Sequence, residues 1–147
     1  MKLSSRAIYG MRAMLALARA HGQGSVLLKD IVEQENLPGT YLEQLMVPLR
    51  KGGLVQGVRG AKGGYTLSRP PGEISVLAIL EALEGPLLLA ECPTGAGCCH
   101  KGQGCALRDL WEDGSHALGA TYGSVSLGEL LARQRAKDAE TACNYTI

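Results

Sequence analysis

The chain has 147 residues, of which 46% are hydrophobic and 20% charged, with no Phe and one Trp; this suits a soluble domain with an extension, its core built from Leu, Val, Ile, Ala and Met. No apolar run approaches the roughly 20 residues of a membrane span, and Met1-Lys2-Leu3-Ser4-Ser5-Arg6 lacks a signal-peptide h-region. A cytoplasmic protein is expected, with no membrane partner and with reduced cysteines rather than a disulfide framework.

The net charge of +1 hides an asymmetry. Residues 1–70 hold ten Lys and Arg against four Asp and Glu, whereas residues 71–147 hold five against ten. A basic half joined to an acidic half points to a polyanion met by the first half only.

A first helix is expected over about Arg6–His21, capped by Ser4 or Ser5 and ended near Gly22. Ile8, Met11, Leu15 and Ala18 recur at helical spacing and are expected to form its buried stripe. Val26-Leu27 reads as a short strand. Leu28 to Glu35 then forms a short amphipathic helix with Leu28, Ile31 and Val32 inward. Asn36-Leu37-Pro38-Gly39 interrupts it. A second helix runs from about Thr40 to Lys51 with Leu42, Leu45, Met46 and Leu49 apolar, and Pro48 is expected to kink or loosen its last turn. Two short helices across a tight turn are a helix-turn-helix signature.

Leu54–Val58 and Tyr65–Leu67 read as strands around Arg59-Gly60-Ala61-Lys62-Gly63-Gly64. A basic, Gly-rich hairpin tip after a helix-turn-helix is a wing. Ser75 caps a helix over Val76–Glu84, ended by Gly85-Pro86. Leu87-Leu88-Leu89 is expected extended and packed. Ala106 to about Tyr122 reads as a helix with Leu107, Leu110, Trp111 and Leu118 apolar, weakened by Gly114 and Gly119. Ser126-Leu127-Gly128-Glu129 is a capping box that opens a last helix. The tail from Arg133 is expected to fray.

The candidate DNA readers are the exposed residues at the start of the second helix of the motif, namely Thr40, Tyr41, Glu43 and Gln44. Gln pairs with adenine and Glu accepts from cytosine N4. Arg59 at the wing tip suits a minor groove. Lys62, Arg50, Lys51 and Arg6 are expected on phosphates.

Between the two halves lies Cys92-Pro-Thr-Gly-Ala-Gly-Cys98-Cys99-His100-Lys-Gly-Gln-Gly-Cys105, with four of the chain's five cysteines. Glycine at this density excludes a helix, so the stretch is a loop that presents sulfur. It lacks the short knuckles of a zinc site. Longer Gly-rich spacing suits an iron–sulfur cluster, either two-iron or four-iron. Neighbouring Cys98 and Cys99 are hard to aim at one centre together, so one of them is expected to ligate. Cys143 is incidental. No nucleophile with a paired base and supporting third group is present, so no catalytic residue and no enzyme is expected.

The residues Leu3-Ser4-Ser5-Arg6, Tyr41-Leu42-Glu43-Gln44-Leu45, Leu49-Arg50-Lys51-Gly52-Gly53-Leu54-Val55 and Val58-Arg59-Gly60-Ala61-Lys62-Gly63-Gly64-Tyr65 carry a resemblance. With the cysteine loop leading into Leu107 and Leu110-Trp111, the chain resembles the IscR/NsrR-type (Rrf-two) family of bacterial winged-helix transcription regulators. The resemblance implies a homodimer in which the long helix after the loop crosses its counterpart. It implies a near-palindromic double-stranded operator, recognition helices in major grooves and wings in minor grooves. It implies three cysteine ligands, here Cys92, Cys105 and Cys99 with Cys98 as its alternative, plus a variable fourth. Relatives that use a His three residues past the last Cys have Arg108 here; those that use an acid from the partner's N-terminus have Ile8. His100, Glu91, Asp109, His116 and the spare cysteine are the remaining candidates.

The expected fold is mainly α with a small β-hairpin wing, a winged helix-turn-helix plus a long dimerisation helix. Its parts are a DNA-binding domain at 1–85, a cluster loop at 86–105, dimerisation and final helices at 106–132 and a flexible tail at 133–147. The expected function is cluster-controlled operator binding, by a repressor or an activator, with iron–sulfur supply, nitric oxide, iron or redox as the open choices of stimulus. The alternatives are a cluster-free regulator of the same fold, sensing through a thiol or a partner, and an iron–sulfur carrier.

Overall fold

The computed structural model describes residues 3–60, 63–90 and 104–144, the side chains of 142–144 excepted. Its elements in order are α1 (Ser5–Arg19), α2 (Leu28–Glu35), α3 (Gly39–Lys51), β1 (Val55–Val58), β2 (Gly64–Leu67), a single 3₁₀ turn at Pro71–Glu73, α4 (Val76–Glu84), α5 (Ala106–Gly123) and α6 (Leu127–Asn144). The expected winged-helix architecture is present.

Ser4 caps α1 by accepting from the Arg6 N–H at 3.0 Å. The first turn of α1 holds no acid of its own. Glu84, from the last turn of α4, supplies one: its Oε1 accepts from Ser4 Oγ and, at 3.2 Å, from the Ala7 N–H. A carboxylate at the positive end of a helix is stabilising. The buried face of α1 is Ala7, Gly10, Ala13, Met14, Leu17 and Ala18. This corrects the expected stripe, since Ile8 is 48% exposed and Met11 and Leu15 are only partly covered. The small residues decide it. A side chain at Gly10 would strike Leu83, so α4 packs directly on that backbone.

Asn36 ends α2 in the left-handed conformation (φ 49), which Asn tolerates better than most residues. Helix α3 then runs without a break through Pro48 to Lys51. Leu42, Leu45, Met46 and Leu49 are buried there as expected, each stabilising the fold by roughly 1.5–3 kcal/mol.

Strands β1 and β2 pair antiparallel with Val55 opposite Leu67 and Val58 opposite Gly64. Val26 joins as one bridge rather than a strand, exchanging two 2.9 Å backbone bonds with Tyr65. Gly64 is required here, because a Cβ would sit 2.7 Å from the Val26 carbonyl carbon.

Ser75 caps α4 through the Ala78 N–H at 3.1 Å. After Gly85 the chain turns rather than extends, with the Leu88 N–H bonded to the Pro86 carbonyl, and Leu88 and Leu89 stay exposed. Helix α5 runs through Gly114 and Gly119. Helix α6 continues through the stretch expected to fray and reaches Asn144, with Arg133 paired to Glu129 and Gln134 to Asp138 one turn apart. Leu127 and Leu131 of α6 lie in the same buried core as α1 and α3. The main core thus takes side chains from both ends of the chain.

Candidate nucleic-acid interface and cysteine loop

Opposite the buried stripe of α3 lies a second, exposed stripe of Thr40, Glu43, Gln44, Val47, Arg50 and Lys51. Among the described residues no hydrogen bond or ion pair ties the side chains of Thr40, Glu43, Gln44, Arg50 or Arg59. Tyr41 departs from the expected exposure. It is half-buried, its ring edge-on to Tyr9 with centroids 5.8 Å apart. Its bulk helps seat α3 on α1.

A charge network ties α1 to the end of α2, just before the turn into α3. Glu35, at the end of α2, accepts from Arg12 Nε at 3.2 Å and from Arg19 Nη1 at 2.7 Å. Arg12 also donates to the Glu35 carbonyl at 2.6 Å. The Glu35 side chain is only 12% exposed. Two α1 guanidiniums therefore grip the residue just before the Asn36 turn. No local pattern signals this trio, because its members lie 16 and 23 residues apart in the chain.

Arg59 is exposed at the end of β1, next to Gly60 (φ 119). The Gly63 N–H closes the tip onto the Gly60 carbonyl at 2.8 Å. Arg6 is exposed on the first turn of α1. Lys62 lies outside the described residues. Val47 was also missed. Its signal is an apolar residue off the core register of α3, between Gln44 and Arg50.

Cys92, Cys98, Cys99, His100 and Glu91 lie outside the described residues, and among those described no three His, Cys, Asp or Glu converge. Both ends of that stretch rest on α5. On one side the Leu89 N–H donates to Ser115 Oγ at 2.9 Å, and that hydroxyl donates to the Trp111 carbonyl. On the other, Cys105 is a free, half-buried thiol at the N-cap of α5, and its own side chain makes no capping hydrogen bond. Cys105 and Ser115 are ten residues apart, about 15 Å along a helix. The donor chemistry fits an iron–sulfur group: thiolates are its ordinary ligands, and the positive end of a helix suits an anionic centre. Asp109 stands one turn beyond Cys105. His116 does not fit, being about 16 Å along the axis from Cys105; it lines a cavity of about 430 Å³ with Leu77, Glu81, Leu87 and Glu112. Arg108 pairs with Glu112 at 2.8 Å.

Helix α5 has no buried residue. Leu107 is 60% and Leu110 56% exposed, and Trp111 is exposed beside them. No helix among the described residues is long and apolar enough to cross a membrane.

Comparison with known proteins agrees with this architecture. The Rrf2 family model, described as an iron-dependent transcriptional regulator, matches residues 3–133. The HTH-type transcriptional regulator IscR of Xenorhabdus nematophila is 39% identical over 138 residues, 94% of this chain and 84% of that protein. Among solved structures, CymR, the global cysteine regulator of B. subtilis, has a TM-score of 0.76 at 37% identity, covering 90% of this chain and 98% of its own. T. potens IscR has a TM-score of 0.72 at 38% identity, covering 97% and 90%. These likenesses, across nearly the whole chain, agree with the wing and the helix-turn-helix: the chain belongs to the Rrf2 family of transcriptional regulators, which are not enzymes.

Proposed function

We propose that the protein is a homodimeric regulator that binds a near-palindromic DNA operator and whose affinity is set by an iron–sulfur cluster. Cys92, Cys105 and either Cys99 or Cys98 hold the cluster; His100, Asp109, Glu91 or the spare cysteine completes it. Thr40, Glu43 and Gln44 face the bases, Tyr41 supports them, Arg59 enters the minor groove, and Arg6, Arg50 and Lys62 meet phosphates. The observation that carries this reading is the placement of Cys105: it stands at the start of α5, a helix whose Leu107, Leu110 and Trp111 are exposed.

When bound, the group supplies a thiolate crosslink that oxidation, nitric oxide or iron loss can open. The chain's own residues transmit the consequence. Cys105 sets the start of α5, and Ser115 holds Leu89, so the loop's two ends share one helix. Upstream, Gly85 joins that segment to α4, whose Glu84 caps α1 beside Arg6. A shift of the loop therefore acts on the dimer helix and on the seat of a DNA contact together. Affinity changes by the difference in free energy between the two arrangements, commonly about 5- to 150-fold.

A second reading is a cluster-free regulator that senses through thiols. It is favoured by the likeness to CymR and by the free, half-buried Cys105 thiol. Anaerobic purification with iron and sulfide analysis separates the two. The cluster reading expects iron, sulfide and visible charge-transfer absorbance, all lost in Cys105→Ser, with a change in DNA affinity of about tenfold. Metal-free protein that binds DNA in a thiol-dependent way supports the second reading and overturns the first.

A further inference from the structure

We propose that Val47 is a specificity-determining residue that reads a thymine methyl group in the major groove; this rests on the DNA-binding reading above. Val47 is 44% exposed on a helix that otherwise buries its large aliphatic side chains. It lies at helical spacing from Thr40, Glu43 and Gln44 on one side and from Arg50 and Lys51 on the other. All five of those neighbours are polar or charged, and all five are exposed. Val47 is therefore the one apolar position on a face whose other members match phosphates and base edges.

The physical chemistry is specific. An exposed β-branched residue is a poor choice for helix propensity alone, and here it covers no core. Of the base edges in a major groove, only thymine offers an apolar group, its 5-methyl. From Thr40 to Val47 the helix rises about 10 Å, which spans about three base pairs. A face lying along the groove can thus meet polar edges at Thr40, Glu43 and Gln44 and a methyl at Val47. Arg50, one turn further on, lies where the face meets backbone again. The contact is direct, so its effect is confined to one base pair in each half-site.

The test uses the full-length chain, as parent and as Val47→Ala, in selection from duplexes with a randomised core. The selected site is then resynthesised with deoxyuridine for thymidine at single positions, which deletes only the methyl. The expected result is a thymine in each half-site of the parent's selected sequence. Uracil there weakens the parent by about fourfold per half-site, the worth of one buried methyl. Val47→Ala binds the thymine and uracil duplexes alike and no longer selects thymine at that position. Equal sensitivity to uracil in both proteins, or no thymine selected by the parent, overturns the proposal while leaving DNA binding intact. A parent that enriches no sequence overturns the DNA reading itself and the Val47 role with it. Val47→Thr keeps one of the two methyls and the branched shape. It retains thymine preference if the contact is the one proposed, and loses none of its fold, since the position is exposed.

Discussion

Helix α3 buries Leu42, Leu45, Met46 and Leu49 in the main core, whereas the longer α5 has no fully buried residue. Both are amphipathic and both carry leucines at helical spacing. The difference is what surrounds them. Around α3 stand α1, α2, α4 and β1, which close one side and leave the polar side for a partner. Among the described elements, α4 makes the main packing contact with α5. Leu107, Leu110 and Trp111 are exposed, a cost that the proposed burial against a second copy would remove at about 25 cal/mol per Å². A helix-turn-helix half that is finished within one chain, and a second part that is not, is what a regulator needs if assembly is to be adjustable separately from the reading head.

The largest effect is expected when α5 is made hydrophilic. Leu107→Glu with Leu110→Glu is expected to give a monomer in sedimentation analysis with its circular dichroism nearly unchanged. Loss of the second half-site contact then weakens operator binding by about a hundredfold or more. A variant that remains dimeric removes α5 from the interface.

A smaller effect is expected at the wing. Gly64→Ala drives a Cβ into the Val26 carbonyl, where backbone cannot give way. The cost is about 2 kcal/mol, seen as a fall of about 6 °C in melting temperature. An unchanged melting temperature shows that the Val26–Tyr65 bridge is not held in the native state.

The smallest effect sharpens the account of α3. Glu35→Gln keeps the size of the side chain but weakens the grip of Arg12 and Arg19 on the end of α2. A loss of about 1–2 kcal/mol in denaturant unfolding is expected, with DNA affinity reduced through placement of α3 rather than through a lost contact. Full stability in the variant excludes the network from positioning α3.

Much of this was legible in the chain. Ser4, Ser75 and Ser126 begin their helices as their spacing indicates, Asn36 and Gly85 end theirs, and α2 and α4 have the expected bounds. The α1 stripe was misjudged for one reason. Periodicity favours large apolar residues, but α4 approaches α1 so closely that glycine and alanine form the contact and Ile8 is turned outward. Tyr41 was assigned to the readers because its position in α3 is right; only packing on Tyr9 shows it turned toward the core. The helical continuation to Asn144 depends on one-turn pairs such as Arg133–Glu129 that look, in sequence, like an ordinary charged tail.

Local pattern suffices for the order of the elements, the helix-turn-helix with its basic wing and the concentration of sulfur between Cys92 and Cys105. Those depend on neighbours a few residues apart, through capping, helical spacing and glycine content. Tertiary structure alone decided that both ends of the cysteine stretch rest on α5, that Glu84 caps α1, and that Glu35 gathers two arginines behind the reading head. Each joins residues distant in the chain, and such contacts are set by how closely helices approach, which no local pattern encodes.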